Sequence, residues 1–407
     1  MSETVKVGIV GIGNMGSAHA KSIFSGNIKG MELAAVCDIA ESKRLWADEN
    51  LPGVPCYEDY KEMIDSGVCD TVIVATPHYF HSPIAIYAFE KGKNVLTEKP
   101  AGVYTKQVEE MNAAAKKSGK VFGIMYNQRT NPYYQRIREI SSSGRLGVLR
   151  RVIWNITNWY RTQAYYDSSD WRATWDGEGA GVLLNQSVHN LDLWQWMLGM
   201  PRRIRAFAYE GKYHDIQVED DVTIYAEYAC GATGVFMTST GEYPGANRLE
   251  IQYDAGKIIY DGGLLRIWSL SESARSFSDR TEQPFSAPEI SYEESEVPGM
   301  ETAHRGIMTN FVNAILRSEP LIASGKEGIY ALSLCNAALL SSWKDDWVSF
   351  AAGADCTDPL LSYEKEYKAC LDRKISDTAG KRRGSEKKRT VFLDLAENAS
   401  GGSLGSR

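Results

Sequence analysis

Several things are scarce in this chain, and each scarcity closes off a class of function. Seven cysteines (Cys37, Cys56, Cys69, Cys230, Cys335, Cys356 and Cys370) are odd in number and scattered. No two stand in C-x-x-C spacing, which excludes the usual zinc and dithiol motifs and reads as reduced thiols in a reducing compartment. Only six histidines occur, and although His78 and His81 have i, i+3 spacing, no third ligand matches them, so no metal is expected. No apolar run reaches the length of a membrane span. The start, Met1-Ser2-Glu3-Thr4-Val5-Lys6, runs into a strand without the basic, apolar and small-residue order of a signal peptide. The expectation is a soluble, cytoplasmic protein with no membrane partner. A basic excess is also missing: net charge is −7, which disfavours a nucleic-acid partner. There is no internal repeat, and no Ser/His/Asp triad order.

The length, 407 residues, exceeds what one core usually fills (roughly 250 to 300 residues) and suits two domains. The first stretch alternates short β-branched runs with helical ones. Strands are expected at 5–10, 32–38, 71–75, 94–97 and 121–126, with helices at 15–25, 42–49, 57–64, 83–91 and 106–118 between them. A continuous apolar run such as Val72-Ile73-Val74-Ala75 is buried on both faces, which implies a parallel sheet covered by helices. The fold class is therefore α/β, with residues 1–126 forming a doubly wound, Rossmann-type domain. From about Arg150 the texture changes to strand-like segments at 151–159, 204–210, 222–229, 233–240, 248–253 and 257–260, with one helix at 187–198 stopped by Gly199 and Pro201. Residues 127–375 are read as an α+β domain on a large, open, mostly antiparallel sheet. The broad face of such a sheet needs cover, and a second copy of the chain is expected to supply it. Residues 271–300 read as a surface loop, 304–317 and 328–344 as helices. The pattern fades after Arg373, and 376–407 reads as a basic, then Gly/Ser-rich tail.

Gly11-Ile12-Gly13-Asn14-Met15-Gly16 follows the first strand and opens a helix, the context in which G-x-G-x-x-G binds a dinucleotide. Glycines admit the pyrophosphate, and the helix start offers free N–H groups. Asp38, ending the next strand, accepts hydrogen bonds from ribose hydroxyls and favours NAD over NADP, with Lys43 and Arg44 nearby as the counterargument. Thr76, Pro77, His78, His81, Glu98, Lys99 and Asn127 follow strands of the same domain and are expected to line the cofactor.

Glu98-Lys99-Pro100 ends a strand, so Lys99 is aimed at the cleft, and Pro100 restricts its backbone and allows a cis bond. His189 opens a helix just after the Gly-rich run Gly177-Glu178-Gly179-Ala180-Gly181. Hydride removal from a secondary alcohol needs a base, and imidazole suits that work near neutrality. Asn185, one turn upstream, is placed to bind a sugar hydroxyl.

Gly11–Gly16, Thr76-Pro77 to His81, Gly92-Lys93-Asn94-Val95-Leu96-Thr97-Glu98-Lys99-Pro100 and the run from Gly181 to Asp192 together resemble the Gfo/Idh/MocA family over nearly the whole chain to about residue 375. The resemblance implies a Rossmann domain, a C-terminal domain on an open sheet, NAD(P), dimers or higher oligomers, and Lys99 with His189 as catalytic residues. Many members carry Asp four residues before the histidine; here Asn185 stands there, and Asp192 is read as structural. Further stretches, Tyr126-Asn127-Gln128-Arg129-Thr130-Asn131-Pro132, Asn158-Trp159-Tyr160-Arg161 and Trp171-Arg172-Ala173-Thr174-Trp175, are similar to a branch that oxidises glycosides at the sugar C3 hydroxyl. On that footing Trp171 and Trp175 are expected to stack on sugar or aglycone. Arg129, Arg172 and Asn185 are expected to bind hydroxyls, and Tyr160 lies in a specificity loop. The leading expectation is an NAD-dependent sugar or glycoside dehydrogenase. A redox-cycling, NAD-dependent glycosidase and a non-catalytic cofactor sensor are the alternatives.

Overall fold

The computed structural model describes residues 4–299, 301–350 and 358–379. Six strands, β1 (Val5–Val10), β2 (Met31–Cys37), β3 (Cys56–Tyr57), β4 (Thr71–Val74), β5 (Asn94–Thr97) and β6 (Phe122–Ile124), form one parallel sheet in the order β3-β2-β1-β4-β5-β6. The order reverses at β1 and β4, so a crevice opens at their carboxyl ends, where this topology places ligands. Val72, Ile73 and Val74 are fully buried, as a strand covered on both faces must be. The helices between them are α1 (Asn14–Phe24), α2 (Glu41–Asn50), α3 (Tyr60–Asp65), α4 (His81–Glu90) and α5 (Thr105–Ser118).

Local chemistry sets the element ends. The helix expected at 57–64 begins only at Tyr60, because the Asp59 side chain accepts from Lys61 N at 2.7 Å and caps it there. β2 stops at Cys37, leaving Asp38 as the first loop residue.

The chain continues through α6 (Pro132–Ser143), β7 (Leu149–Ile156), α7 (Gln163–Tyr166) and α8 (Val188–Leu198). α6 was not anticipated, although Asn131 caps it and Pro132 occupies its first turn, both ordinary helix-start signals. Eight further strands are β8 (Arg203–Glu210), β9 (Glu219–Glu227), β10 (Thr233–Ser239), β11 (Asn247–Tyr253), β12 (Gly256–Asp261), β13 (Leu264–Leu270), β14 (Ile290–Ser295) and β15 (Val348–Ser349). With β7 they make a nine-stranded sheet ordered β14-β13-β12-β11-β7-β10-β9-β8-β15. All pairs are antiparallel except β7 with β10. One face is core: Val152, Trp154, Ile204, Ile224, Phe236, Leu249 and Ile251 are buried. Residues 271–300 are not a plain loop. They contain α9 (Ala274–Arg280), capped by Ser273, and the edge strand β14, whose Ile290 and Tyr292 stay exposed. A strand with no buried face leaves no alternation to read.

The last helices return to the first sheet. α10 (Ala303–Arg317) places His304 against His19 of α1, ring centroids 5.4 Å apart. Ala323 O accepts from Ile124 N at 3.1 Å and Ser324 bridges Gly123, so the β6 edge is covered by residues two hundred positions downstream. α11 (Gly328–Lys344) packs on α8 and β8 on one side and on α5 on the other. Its Asn336 donates to Val103 O at 3.0 Å. α12 (Glu364–Thr378) brings Glu364 onto Thr105 and extends past Arg373, where the sequence pattern had faded. Cys356 and the tail beyond residue 379 lie outside the described residues. Among those described, no helix is long and apolar enough to cross a membrane, and no group of three His, Cys, Asp or Glu side chains is placed to hold a metal.

Candidate active site

Between β1 and α1 the glycines are used in two ways. Gly11 has φ +87°, and a Cβ there would lie 2.7 Å from Ala75 O; one on Gly16 would lie 1.8 Å from Gly11 O. Around Gly13 nothing lies within 4 Å, so the turn is open on the side where Cβ would sit. α1 starts with neither a capping side chain nor an acid in its first turn, which leaves its first N–H groups for an anion such as a pyrophosphate. Asp38 Oδ2 accepts from Ile12 N at 2.8 Å and Oδ1 from Ala40 N at 2.9 Å, which fixes the carboxylate beside the glycine turn. Arg44 does not stand free nearby. Its guanidinium donates to Asp38 O and Ile39 O and pairs with Glu58 at 3.1 Å. Met15, on the first turn, is exposed, while Ile12 and Gly16 are buried.

At the far end of the crevice, two polar atoms are buried with no protein partner among the described residues: Thr76 Oγ1 after β4 and Asn127 Oδ1 after β6. Buried polar atoms are almost always satisfied, so this pair marks a place for a ligand's polar groups. These features together fit a dinucleotide. Both histidines that follow β4 are tied to backbone carbonyls. His81 contacts Pro100 O and Thr76 O with its two ring nitrogens, each at 2.7 Å, so it ties the Lys99-Pro100 turn to the loop after β4 and keeps no free nitrogen for a cofactor. His78 Nδ1 contacts Glu178 O at 2.8 Å and its ring meets Trp171 edge-on. Glu98 Oε1 lies 2.7 Å from His19 Nε2, and its Oε2 accepts from Lys99 N at 3.2 Å. Burial alone raises the Glu98 carboxyl, but the His19 hydrogen bond and the charges of His19, Lys99 and His304 bring it down to about 2.

The Lys99–Pro100 peptide is cis. Lys99 Nζ donates to Asn185 O at 2.8 Å and reaches Asn185 Oδ1 at 3.4 Å. Burial lowers the Lys99 pKa from the ordinary lysine value against the pull of Glu98 and Glu178, and the positive charges of Arg172 and Arg161 lower it further. His189 sits in the first turn of α8, buried, its Nδ1 without a partner among the described residues. Burial and the Lys99 charge hold His189 well below the ordinary imidazole value, so the ring is neutral near pH 7. The loop before α8 is held by Glu219, which accepts from Gly181 N at 2.8 Å and Leu183 N at 3.1 Å; burial pushes its carboxyl up to about 8. Neither Glu219 nor Glu178 was picked out as functional from the sequence, and both lie in Gly- or acid-rich stretches with no distinguishing spacing.

Two of the expected substrate contacts are corrected by the packing. Arg129 is buried and held by the protein itself: Nε and Nη2 pair with Asp192 at 2.7 and 2.6 Å, and Nη1 meets Ile322 O and Glu327. Four of its five N–H donors are taken inside the protein, and at 1% exposure the guanidinium is out of a sugar's reach. Trp175 is buried against Trp343 and under Lys374, so neither ring face is open to a ligand. Trp171 and Arg172 remain at the site, the guanidinium 4.6 Å from the Trp171 ring and donating to Tyr165 OH at 2.8 Å. Tyr160 is half-exposed beside Tyr243. β7 ends at Ile156, so Asn158 and Trp159 leave the sheet. With Gln128, Asn131, Asn190 and Asn247 they line a cavity of about 170 Å³ next in sequence to His189. Trp159 Nε1 donates to Asn190 Oδ1 there, at 2.9 Å.

A parallel sheet with a glycine turn at its switch point defines a protein of the dinucleotide-binding class. The comparison with known families places it further. Residues 5–126 match the model described as oxidoreductase family, NAD-binding Rossmann fold, and residues 134–259 match the GFO/IDH/MocA C-terminal domain. The chain belongs to the Gfo/Idh/MocA family. It is similar to the rhizopine catabolism protein MocA of Rhizobium meliloti, 28% identical over 48% of this chain and 57% of that protein. It is also similar to inositol 2-dehydrogenase of Salmonella typhimurium, 32% identical over 35% and 43%. The chain spans about half the length of the curated relatives it matches. Among solved structures, the WlbA dehydrogenase of Chromobacterium violaceum in complex with NADH and UDP-GlcNAcA superposes with TM-score 0.72 at 25% identity, covering 85% of this chain and 96% of that one. Levoglucosan dehydrogenase with NADH gives 0.70 at 20%, covering 85% and 99%, a likeness of fold.

Proposed function

We propose that this protein is an NAD-dependent dehydrogenase that oxidises a secondary hydroxyl of a sugar or glycoside, the C3 hydroxyl of the ring. The carrying observation is that the Lys99 ammonium is anchored on Asn185, four residues before His189, whose imidazole is kept neutral by burial and the Lys99 charge. Lys99 has three N–H donors and places two on Asn185, which leaves one for the substrate oxygen. That donor orients the hydroxyl and lowers its pKa, and a ring nitrogen of His189 takes the proton as the C–H bond is cut. When bound, the nicotinamide supplies the hydride acceptor. Gly11–Gly16 and Asp38 would hold its pyrophosphate and ribose, and the buried, unpartnered Thr76 Oγ1 and Asn127 Oδ1 would take further polar groups of it.

A sugar-like substrate is supported by Arg172, whose charge acts on Lys99 and whose guanidinium lies 4.6 Å from the Trp171 ring, a polar and an aromatic surface side by side. The names of the relatives, inositol 2-dehydrogenase and levoglucosan dehydrogenase, point the same way. The position C3 rests on the resemblance of 126–132, 158–161 and 171–175. Two copies are proposed to pair through the open face of the nine-stranded sheet.

The test is NADH absorbance with purified protein, NAD, and a panel of free sugars, inositols and aryl glucosides, with aglycone followed in parallel. NADH formed with an oxidised, intact glycoside is expected. Lys99→Ala and His189→Ala should each lower turnover by about 10² to 10⁴, the usual worth of a positioned acid or base. Unchanged turnover in either folded variant refutes the assignment. Aglycone released with no net NADH would replace the dehydrogenase by the redox-cycling glycosidase, and NAD binding with no turnover on any substrate would favour the sensor.

A further inference from the structure

Asn185 leaves the Lys99 site without the carboxylate that many family members place there, but a carboxylate lies one bond further back. The Asn185 Nδ2 donates to Glu178 and to Tyr165 OH, the latter at 3.2 Å, while its Oδ1 faces Lys99 Nζ. An ammonium only donates and a carboxylate only accepts, so one amide orientation satisfies both neighbours. Flipped, the amide would set NH₂ against NH₃⁺ and oxygen against carboxylate.

Glu178 is built to hold that position. It is 1% exposed. Its Oε2 accepts from Ala173 N at 2.5 Å, and Ala173 has φ +54°, a left-handed conformation that is uncommon for a residue with a Cβ. Its main-chain oxygen contacts His78 at 2.8 Å, and Arg172 lies 3.8 Å from its other carboxylate oxygen. The next residue, Gly179, has φ +88°, and a Cβ there would sit 2.4 Å from Val103. The backbone is thus committed on both sides of the carboxylate.

We propose that Glu178 is a positioning residue for Lys99: it locks the Asn185 amide with its oxygen toward the ammonium and supplies, through that amide, the negative charge the site lacks at position 185. This rests on the reading of Lys99 as catalytic. The charges that act on Lys99 are Glu98 and Glu178 on one side and Arg172 and Arg161 on the other, with His78 and His189 in its field. Removing the Glu178 charge therefore shifts Lys99 toward its neutral form at lower pH.

The experiment is a transposition of the pair in the full chain: Glu178→Gln, and Glu178→Gln with Asn185→Asp. The double variant keeps one carboxylate and one amide but exchanges their places. The first readout is the pH dependence of amine acylation at Lys99, followed by peptide mass spectrometry, which needs no turnover. Glu178→Gln is expected to move the labelling midpoint to lower pH, and the double variant to return it to or above the wild-type value. The second readout is sugar oxidation, where Glu178→Gln should lower kcat by about tenfold or more with the KM for NAD unchanged, and the double variant should recover most of it. A midpoint that stays put in Glu178→Gln, or a double variant no better than the single one, overturns the proposal. If Glu178→Gln does not fold, the double variant carries the test alone: folding with a wild-type or higher midpoint supports the pairing, and failure of either sinks it. A wild-type protein that oxidises no sugar would refute the proposed function and leave the labelling result standing.

Discussion

His189 is buried in the first turn of its helix with a neutral ring, and Lys99, half-buried, has its charge partly opposed by Arg172 and Arg161. Both groups are pushed down by loss of solvent, so both limbs of the pH profile should move in one direction. The base works when unprotonated and the lysine when protonated. The acid limb of kcat/KM is expected well below the ordinary imidazole value near 6.5, and the alkaline limb below the ordinary lysine value of about 10.4. A profile with its acid limb at or above 6.5 would contradict the burial of His189. Glu98 carries a stability consequence of the opposite kind. Its carboxyl, about 2 in the folded protein against about 4.3 for an exposed glutamate, adds stability that is fully present above the upper value and lost as pH falls toward the lower one. His19→Ala should therefore shift the acid-unfolding midpoint, followed by circular dichroism, to higher pH. Lys99, His189 and the glycine turn were legible in the sequence because each sits at a strand or helix end whose direction the local pattern sets. Arg129 and Trp175 were not, because spacing says nothing about which neighbour claims a guanidinium or an indole. The rivals for Arg129 are Asp192 and Glu327, 63 and 198 residues away.

Between elements, Arg129 acts as a bolt. It leaves the turn after β6, reaches α8 through both oxygens of Asp192, and meets the start of α11 through Glu327. Arg129→Met leaves Asp192 buried without its partner, a change that costs about 3 to 5 kcal/mol in comparable pairs. Chemical denaturation should show that loss, while the sugar KM of the folded fraction stays near wild type. A large KM effect at unchanged stability would return Arg129 to the substrate site. The elements themselves divide by how they are buried. Strands covered on both faces, such as β4, announce themselves as unbroken apolar runs, and α8 is bracketed by its own stop signals. β14 and α9 gave no such sign, since nearly every side chain they carry meets water. The parallel pairing of β7 with β10 was equally hidden: neighbouring strands alternate alike whichever way they run.

Across the whole molecule, the nine-stranded sheet has one face in the core and one that, among the described residues, is without cover. Arg205, Tyr225, Val235, Ile153 and Glu250 are paired in register across five strands, on the face opposite the buried positions, and none of them is buried. If two copies meet there, Val235→Asp should convert the protein to a monomer by light scattering at unchanged secondary structure; an unaltered mass would move the interface elsewhere. The covered edge of the other sheet has a different meaning, one that concerns synthesis. β6 is complete when residue 124 has been made, but its outer edge is closed by Ala323 and Ser324. At about 5 to 20 residues per second, roughly ten to forty seconds of translation separate the two. For that interval the Rossmann domain presents a bare strand edge on the ribosome, where a chaperone or a neighbouring nascent chain competes with the protein's own last third.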